Sequence, residues 1–598
     1  NNQNIFFFFF NNTGTVNIQQ GNITLGIQSG THSIGGAFNV SSGAILQLGQ
    51  NSFTNFNVSA SVAGAGTIVC YSTAAVNFLS SCIYNVTGTT TAQLGTMNFN
   101  AGMTLTNAGN ISPAGGTIVF PAGLTVNGYG SSLNITAGGT FSANCGKTFS
   151  FQKVFVLGYI NGSDSIIVTD SLSLSSGSLT GTGAITLNSG GVAAIFNNGC
   201  TFDKSFFNNG TVNWTASSIF GSGVVYNNSV INISGTALTC YPQIINQNTI
   251  NKSSNTASVF PGGFTNGSSA VINITAGSIM SSANTNTYSI AGTVNIASGT
   301  YLQLGNSSTA TYNVSGTIAG AGSFYCHTAN VNLNSGCNYN ITGTTGTYSG
   351  NMNFNSVVTL TNIGTITSVN GTLNLQPGLF VPAYGTSLSA TGGAVINFNT
   401  GQKFQFASIN LNGTIAGSDT IVLSGNMTFS GATLSGSGPF NMLSGSVMDI
   451  VNNAVTVNKT INNSGTINWM QTGINGSGVI NNNNVFNIST NANYGCYTLV
   501  NNNSVINKGT NSSPVLLGGC NNSGTVNVTS GSLIITPTTG TFTSSGTFNV
   551  SASCGLTMGQ VSGTASHNVN GTVAGAGSVT LSAQTVTFGA ASVYNVSG

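Results

Sequence analysis

Apolar and polar residues alternate along this chain in short segments that recur at a nearly even spacing. The segments read like Gly14–Ile18, "GTVNI", in which a glycine precedes two apolar residues that flank an asparagine. Alternation with a period of two, in segments rich in Val, Ile and Thr, indicates β-strands. We expect Val16 and Ile18 to point inward, and Thr15 and Asn17 to point outward. No segment shows the 3.6-residue period of an amphipathic helix.

The central asparagine of these segments marks the short repeat most clearly. Only Lys252 interrupts the apolar flanks of ten such triplets. Their spacing varies little, and they are centred on Asn213, Asn232, Asn251, Asn273, Asn295, Asn313, Asn332, Asn353, Asn374 and Asn397. Strand modules this short cannot bury an apolar face alone and must stack on their neighbours. The pattern therefore predicts an all-β fold, a parallel β-solenoid with about 20 residues per coil and roughly 29 coils. A string of β-sandwiches is the alternative, but the Pro-rich or charged linkers that it needs do not occur in the sequence.

A longer repeat of about 255 residues contains the short one, as expected when whole groups of modules are copied. Trp214 in "GTVNW" recurs as Trp469 in "GTINW", and "GSDSIIV" recurs as "GSDTIVL" at the same offset. Because Gly598 ends an ordinary segment rather than a polar cap, we expect either that the chain continues or that its ends join copies. The expected organisation is one continuous solenoid over 1–598, with the end of one unit at 1–88 and full units at 89–343 and 344–598.

The composition favours association over a solitary soluble chain. Charged residues make up 2% of the sequence, with no Glu and no Arg, whereas about a quarter is usual in globular domains. A net charge near zero promotes self-association. The longest apolar run, Ile5–Phe10, is far shorter than the roughly 20 residues that cross a bilayer, so we predict no membrane span.

The "GTVNI", "GTINW" and "GTFNV" segments resemble the coils of large extracellular β-solenoid adhesin and fibre repeat proteins, of the filamentous-haemagglutinin or autotransporter-passenger kind. The resemblance covers nearly the whole chain and implies a right-handed parallel β-helix that is extracellular or on the cell surface. Adhesins of this kind carry more charge, which favours a self-assembling fibre here. We therefore predict an extracellular structural fibre or filament subunit whose partner is itself, joined end to end or laterally. A surface adhesin stalk that binds cell-surface or matrix glycans is the alternative.

The sequence offers little material for catalysis or ligand binding. Its five acids are spread over 598 residues, whereas glycosidic cleavage needs two carboxylates within about 5 to 10 Å. Three histidines at non-equivalent places form no metal motif, and seven lysines without arginine form no basic stripe for nucleic acid. We predict no enzyme activity, no cofactor, no metal and no nucleic-acid partner. An ice-binding solenoid, suggested by outward Thr and Asn rows, and a polysaccharide-processing solenoid are remote alternatives.

Two cysteine pairs occupy matching places in the long repeat. Cys70 and Cys82 are separated by nearly the same length of chain as Cys326 and Cys337. The third copy has no cysteine at either place, so both members of the pair are lost together. We predict the disulfides Cys70–Cys82 and Cys326–Cys337, each closing a short loop that would contribute about 2 to 3 kcal/mol. Such bridges need an oxidising compartment, and free buried thiols are the alternative.

Two lysine–aspartate pairs are separated by nearly one coil. Lys147 precedes Asp164, and Lys403 precedes Asp419, by slightly less than the length of the short repeat. A charge packed into so apolar a chain is costly unless it is paired. We predict that each pair stacks on adjacent coils as an ion pair, with two solvated charges as the alternative.

Asn-x-Ser/Thr sequons are frequent because the strand motif itself spells sequences such as Asn-Val-Ser. Sugars on successive coils would crowd one another, since neighbouring strands are only about 4.8 Å apart. Sequons at turns, such as Asn161 and Asn266, are the ones that a glycosylating source could use.

Overall fold

The described part of the chain is a parallel β-solenoid built entirely from short strands. The structure is a computed structural model that describes residues 4–26, 30–216, 218–236, 238–282, 286–306, 309–490, 493–510, 512–537, 539–559, 564–582 and 585–598. Within these residues there are 77 strands and no helix. The predicted fold is confirmed, with about 21 residues per turn and about 27 turns instead of the expected 20 and 29. The chain divides into two compact units, Asn1–Leu302 and Gln303–Gly598.

A typical turn of unit 1 has three strands, and each strand pairs in parallel with its equivalent one turn later. One turn contains Phe206–Asn208, Thr211–Trp214 and Ile219–Phe220. The first of these pairs with Val224–Asn227 in a register that places Phe206 beside Val225. This pairing repeats every turn, so identical positions of successive turns form straight rows.

The strands that begin in unit 1 are short, and the longest of them continue from one side of the solenoid to the next. They are β1 Asn4–Phe7, β2 Thr15–Ile18, β3 Asn22–Leu25, β4 Gly30–Ile34, β5 Ala37–Val40, β6 Ile45–Ser52, β7 Thr54–Val58, β8 Ser61–Gly64, β9 Thr67–Phe78, β10 Ile83–Val86, β11 Thr89–Phe99, β12 Thr104–Asn107, β13 Asn110–Pro113, β14 Thr117–Phe120, β15 Thr125–Val126, β16 Ser132–Ile135, β17 Thr140–Ala143, β18 Phe149–Val156, β19 Tyr159–Asn161, β20 Ile166–Leu174, β21 Ser178–Leu179, β22 Ile185–Leu187, β23 Val192–Ile195, β24 Cys200–Phe202, β25 Phe206–Asn208, β26 Thr211–Trp214, β27 Ile219–Phe220, β28 Val224–Asn227, β29 Val230–Ile233, β30 Gln243–Asn246, β31 Thr249–Lys252, β32 Ala257–Phe260, β33 Phe264–Asn266, β34 Val271–Ile274, β35 Ser278–Ser281, β36 Thr287–Ile290, β37 Thr293–Ile296 and β38 Tyr301–Leu304.

Unit 2 has the same three-strand turn. Thr460–Asn463, Thr466–Trp469 and Ile474–Asn475 make one turn, and Thr460 pairs with Val479 of the next. Its strands are β39 Thr311–Val314, β40 Thr317–Gly320, β41 Ser323–Cys326, β42 Asn330–Leu333, β43 Asn338–Ile341, β44 Thr344–Thr347, β45 Asn351–Phe354, β46 Thr359–Asn362, β47 Thr365–Val369, β48 Thr372–Leu375, β49 Ser387–Thr391, β50 Val395–Phe398, β51 Lys403–Leu411, β52 Thr414–Ala416, β53 Thr420–Phe429, β54 Thr433–Leu434, β55 Phe440–Met442, β56 Val447–Ile450, β57 Val455–Val457, β58 Thr460–Asn463, β59 Thr466–Trp469, β60 Ile474–Asn475, β61 Val479–Asn482, β62 Val485–Ile488, β63 Gly495–Cys496, β64 Leu499–Asn502, β65 Val505–Lys508, β66 Val515–Leu517, β67 Cys520–Asn522, β68 Thr525–Val528, β69 Ser532–Ile535, β70 Thr541–Ser544, β71 Thr547–Val550, β72 Gly555–Met558, β73 Ser566–Val569, β74 Thr572–Gly575, β75 Ser578–Leu581, β76 Thr585–Phe588 and β77 Val593–Val596.

Every second residue of a strand packs into the interior of its unit. In β26 the buried residues are Val212 and Trp214, while Thr211 and Asn213 are half-buried on the outside. Full burial of an aliphatic or aromatic side chain contributes roughly 1.5–3 kcal/mol. Because the same strand positions face inward in every turn, the interior consists of rows of apolar side chains. Polar residues at inward-facing positions are buried along with them.

Glycines at the corners allow successive turns to approach closely. Gly162 has φ 105°, and a Cβ built there would lie 2.1 Å from the carbonyl oxygen of Ala143 on the preceding turn. Gly417 has φ 109°, and its Cβ would lie 2.0 Å from the carbonyl oxygen of Phe398. These two corners are equivalent in the long repeat, and each leads directly to a buried aspartate.

Candidate functional site: buried charges and asparagine ladders

Asp164 is a buried carboxylate that organises a corner of unit 1. It lies shortly before β20 and is 5% exposed. Its Oδ2 accepts from the backbone N–H of Cys145 at 2.8 Å and from the Cys145 thiol at 3.1 Å. Its Oδ1 accepts from the N–H of Gly146 at 2.8 Å. Hydrogen bonds from charged or backbone donors offset the cost of burying a carboxylate.

The same arrangement recurs in unit 2 around Asp419. Its carboxylate accepts from the N–H of Thr400, the hydroxyl of Thr400 and the N–H of Gly401, each at 2.7 Å. Thr400 therefore takes the place that Cys145 has in unit 1, with a hydroxyl donor in place of a thiol. The long repeat has kept the aspartate and the two backbone donors and has exchanged the side-chain donor.

Lys147 and Lys403, which were predicted to stack on these aspartates, are not among the hydrogen-bond donors described at the two carboxylates. Lys147 donates to the carbonyl oxygen of Val126, and its Nζ lies 5.5 Å from the centroid of the Tyr129 ring. Lys403 is exposed. The Lys147–Asp164 and Lys403–Asp419 stacking stays a prediction, and the hydrogen bonds seen at both carboxylates come from backbone and side-chain donors of the preceding turn.

The lysines whose charge acts on these carboxylates are Lys204 and Lys459, which sequence reasoning missed. Both are buried, at 1% and 3% exposure. Lys204 donates to the carbonyl oxygen of Gly162 at 2.6 Å, whereas the Nζ of Lys459 has no hydrogen-bond partner among the described residues. Burial lowers the pKa of each lysine to about 8, and the charge of Asp164 or Asp419 opposes the shift.

The sequence did contain a signal for these lysines. In "TFDKSFF" the alternation places Lys204 at the parity of Phe202 and Phe206, both of which point inward. Lys252 and Lys508 are buried for the same reason, because they are the last inward-facing residues of β31 and β65. Lys252 donates to the Ser254 hydroxyl at 2.7 Å and Lys508 to the Ser530 carbonyl at 3.1 Å, and burial lowers the pKa of both lysines.

The predicted outward asparagines form continuous hydrogen-bonded ladders. In each, the Nδ2 of one asparagine donates to the Oδ1 of the asparagine one turn earlier. In unit 1 the ladder joins Asn213, Asn232, Asn251, Asn273 and Asn295 at 2.9 to 3.0 Å. In unit 2 another joins Asn313, Asn332, Asn353, Asn374 and Asn397 at 2.6 to 3.2 Å. We call these the outer ladders.

A second kind of ladder lies inside each unit. Its asparagines are at most 1% exposed, and each Nδ2 donates to the Oδ1 of the asparagine one turn later, opposite to the outer ladders. The inner ladder of unit 1 joins Asn208, Asn227, Asn246 and Asn266 at 2.6 to 2.7 Å. That of unit 2 joins Asn463, Asn482, Asn502 and Asn522 at 2.7 to 2.8 Å.

The inner amides are satisfied on both of their hydrogens. Asn208 also donates to the carbonyl oxygen of Val230 at 2.9 Å, and Asn227 to that of Thr249 at 3.0 Å. A buried amide without such partners costs several kcal/mol. The inner ladder also contains Asn266, whose sequon was expected to be usable, and its 1% exposure leaves that amide closed to modification in the folded chain.

The four cysteines predicted to form disulfides are free thiols. Cys70 donates its S–H to the carbonyl oxygen of Leu94, while Cys82 is held in a tight turn by its N–H bond to Leu79. Burial raises the pKa of Cys82 and of its equivalent Cys337 to about 12. The predicted bridges Cys70–Cys82 and Cys326–Cys337 are therefore corrected to separate buried thiols that behave as small apolar residues.

Cys326, the equivalent of Cys70 in the long repeat, has a similar setting. It donates its S–H to the carbonyl oxygen of Ala329 at 3.0 Å, and burial raises the pKa of its thiol to about 12. Low-pKa, exposed thiols are the reactive ones. These cysteines therefore fill space and satisfy carbonyl groups.

Each remaining acid already has a structural setting. Asp203 is exposed and accepts from the N–H and hydroxyl of Ser222, and Asp449 accepts from the amide of Asn468 in an outer row of unit 2. Asp170 is exposed. Across the described ranges, no group of three or more His, Cys, Asp or Glu side chains is placed to hold a metal ion.

Unit 2 carries an open groove of about 350 Å³ on its surface. Its lining residues are all Asn, Ser or Thr: Asn481, Asn501, Asn503, Asn521, Asn522, Ser523, Thr543 and Ser545. The rows on its two sides are hydrogen-bonded ladders, in which Asn501 donates to Asn481 and Asn503 donates to Asn483. The groove is therefore an uncharged surface whose amide and hydroxyl groups recur from turn to turn.

No family model matches this chain, and no curated protein matches it. In the part of the chain that the structure describes, none of the elements is a helix able to cross a bilayer.

Proposed function

We propose that this protein is a structural subunit of an extracellular fibre or filament, and that it works mechanically without catalysis. The observation that carries the proposal is the pair of opposed asparagine ladders in each unit. In unit 1, backbone pairing, apolar rows and both sets of amide hydrogen bonds join the same neighbouring turns. Displacing one turn would break several of these interactions at once, so we expect the solenoid to be stiff.

The outer ladders also supply a surface for association with a second copy. Asn232 donates one N–H to Asn213 and accepts one hydrogen bond from Asn251. An asparagine side chain has two N–H groups and two lone pairs. Each rung therefore keeps one donor and one acceptor directed outward, at the strand spacing of about 4.8 Å. A second outer ladder offers the complementary groups at the same spacing, as in packed Asn rows of cross-β assemblies.

Composition supports the same proposal. With 2% charged residues, neighbouring copies meet little electrostatic repulsion. The extracellular placement rests on this composition and on the resemblance to fibre and adhesin coils, because the free thiols remove the support that disulfides would have given.

The test is assembly of the purified chain, followed by negative-stain electron microscopy and sedimentation velocity over a range of concentrations. We expect filaments or bundles that grow with concentration. Introducing lysine at Asn232 and Asn273 should suppress lateral association by charge repulsion. Lysine at the exposed corner residue Ser222 is the matched control. Particles that stay monomeric at every concentration would contradict the fibre proposal.

The amide-lined groove of unit 2 favours a second candidate, an adhesin stalk that holds a neutral glycan. Its Asn501 and Asn503 rows present the donors and acceptors that sugar hydroxyls need, without charge. Binding to a panel of neutral and acidic polysaccharides distinguishes the candidates. An adhesin should bind neutral chains and lose binding on Asn501→Ala, while a fibre subunit should bind none of them.

A further inference from the structure

In one asparagine–glycine pair of unit 1, the asparagine side chain is hydrogen-bonded to the backbone N–H of the glycine that follows it. Asn161 ends β19 and is exposed, and the backbone N–H of Gly162 donates to its Oδ1 at 2.7 Å. Gly162 has φ 105° and could not carry a Cβ, which would lie 2.1 Å from the Ala143 carbonyl oxygen. The Gly162 nitrogen thus lies beside the side-chain amide of Asn161 with no side chain in between.

We propose that Asn161 is a site of spontaneous deamidation, with water as the only co-reactant. The Gly162 nitrogen loses its proton to solvent base and attacks Cγ of Asn161. The N–Cγ bond forms, the Cγ–Nδ2 bond breaks, and ammonia leaves with a proton from solvent. Water then opens the resulting five-membered imide at either carbonyl, which gives aspartate or isoaspartate at this position.

The reaction matters for the fold because it occurs at the anchor of a buried lysine. The carbonyl oxygen of Gly162 accepts the hydrogen bond from Lys204 at 2.6 Å, and Asp164 follows shortly after in the chain. Isoaspartate adds one methylene to the main chain between residues 161 and 162, which displaces that carbonyl. Deamidation is therefore expected to loosen the Lys204 contact as well as to add a negative charge to an almost uncharged surface.

Of the eight other Asn–Gly pairs in the sequence, three have side-chain amides that are engaged elsewhere and are therefore protected. The Oδ1 of Asn209 accepts from Asn228 at 2.9 Å. Asn266 is buried in the inner ladder. The Nδ2 of Asn412, which precedes Gly413 in unit 2, donates to the carbonyl oxygen of Ser430 at 2.8 Å. Turning these amides toward the following nitrogen requires breaking a hydrogen bond, so their reaction is slower.

Unit 2 supplies a matched control at the equivalent corner. Ala416 and Gly417 stand where unit 1 has Asn161 and Gly162, and Gly417 has nearly the same φ of 109°. The corner therefore folds without asparagine, so Asn161→Ala reproduces a sequence that the same backbone already accepts.

The experiment incubates the full chain, purified from a host that does not glycosylate, in mildly alkaline and mildly acidic buffer. Peptide mass mapping locates each replacement of amide by carboxyl, and an isoaspartyl methyltransferase labels isoaspartate. We expect conversion at Asn161 to exceed that at Asn412 by about tenfold, which corresponds to a barrier lower by about 1.4 kcal/mol. Conversion should be faster in the alkaline buffer.

Asn161→Ala should abolish the label at this corner and leave the far-UV circular dichroism unchanged. Aged wild-type protein should melt at a lower temperature than fresh protein, and the Asn161→Ala variant should not change with age. Conversion at Asn161 that is no faster than at Asn412, or ageing that lowers the melting temperature of Asn161→Ala equally, overturns the proposal.

Discussion

The Nδ2 of Asn227 donates to the Oδ1 of Asn246 at 2.6 Å in the interior of unit 1, between two successive turns. Asn227 also accepts from Asn208 and donates to the carbonyl oxygen of Thr249. One side chain thus joins three turns, and both ends of its amide are hydrogen-bonded. The interior of this solenoid is therefore specified by directional hydrogen bonds as well as by apolar packing.

Replacing Asn227 with alanine should destabilise unit 1 strongly. The change leaves a donor of Asn208 and an acceptor of Asn246 buried without partners, each costing about 1 to 3 kcal/mol. Equilibrium unfolding in guanidinium measures the loss. Asn228→Ala is the matched control, because Asn228 is the neighbouring residue in an exposed outer row, donating to Asn209. We expect it to change the free energy of unfolding by less than about 0.5 kcal/mol.

Replacing Asp164 with asparagine should cost about 1 to 3 kcal/mol, the usual penalty for leaving a buried donor without its acceptor. Asparagine has one oxygen where the carboxylate accepts from both Cys145 and Gly146, and Lys204 loses its counter-charge. Thermal and guanidinium unfolding report the change.

The matched control for that substitution is Asp203→Asn. Asp203 is exposed, and unit 2 carries Asn458 at the equivalent place with the same bond, there from Ser477. We expect a near-neutral effect. The double variant Asp164→Asn with Lys204→Met should be less destabilised than the sum of the two single variants, and simple additivity would contradict the coupling.

The buried lysines should make a contribution to stability that rises as the pH increases from 8 to 9. Burial lowers the pKa of Lys204 and Lys459 from 10.5 to about 8, so in this window the unfolded chain binds more protons at these lysines than the folded chain. Their contribution to the free energy of unfolding therefore increases with pH. The buried thiols act in the opposite direction over the same window, because burial raises the pKa of groups such as Cys82 from 9.0 to about 12 and the unfolded thiols lose their protons first.

The lysine contribution is isolated with Lys459→Met. Between pH 8 and pH 9 we expect the guanidinium midpoint of this variant to change less favourably than that of the wild type, because one rising contribution is lost while the thiols are unchanged. Lys153→Met, which removes an exposed lysine, should follow the wild type. The same change of midpoint in all three proteins would assign the pH dependence to other groups.

The ten cysteines should remain reduced and largely unreactive in the folded protein. Cys145 is half-buried and the other nine are buried, so a thiol reagent is expected to reach Cys145 first and the rest only on unfolding. Adding dithiothreitol should leave the melting temperature unchanged. A clear drop in melting temperature on reduction would restore the disulfide prediction.

The sequence by itself determined the repeating strand, the stacking of turns and the outward position of the ladder asparagines. Val16 and Ile18 are apolar and lie on one face of the strand, whereas Asn17 lies on the opposite face. Only one orientation of the strand therefore buries the apolar face. The long repeat was equally visible, because it copies whole segments.

Only the tertiary structure decided which asparagines lie inside. In "FFNN", Phe206 and Asn208 lie on one face of the strand, and Phe207 and Asn209 lie on the other. Each face carries one phenylalanine and one asparagine, so the sequence does not distinguish Asn208 from Asn209. The parallel register with the next turn, which places Phe206 beside Val225, buries Asn208 and exposes Asn209 to the outer row. The disulfide prediction was wrong for a related reason. A separation along the chain fixes the turn on which a residue lies, but the path of the corners decides which side chains meet.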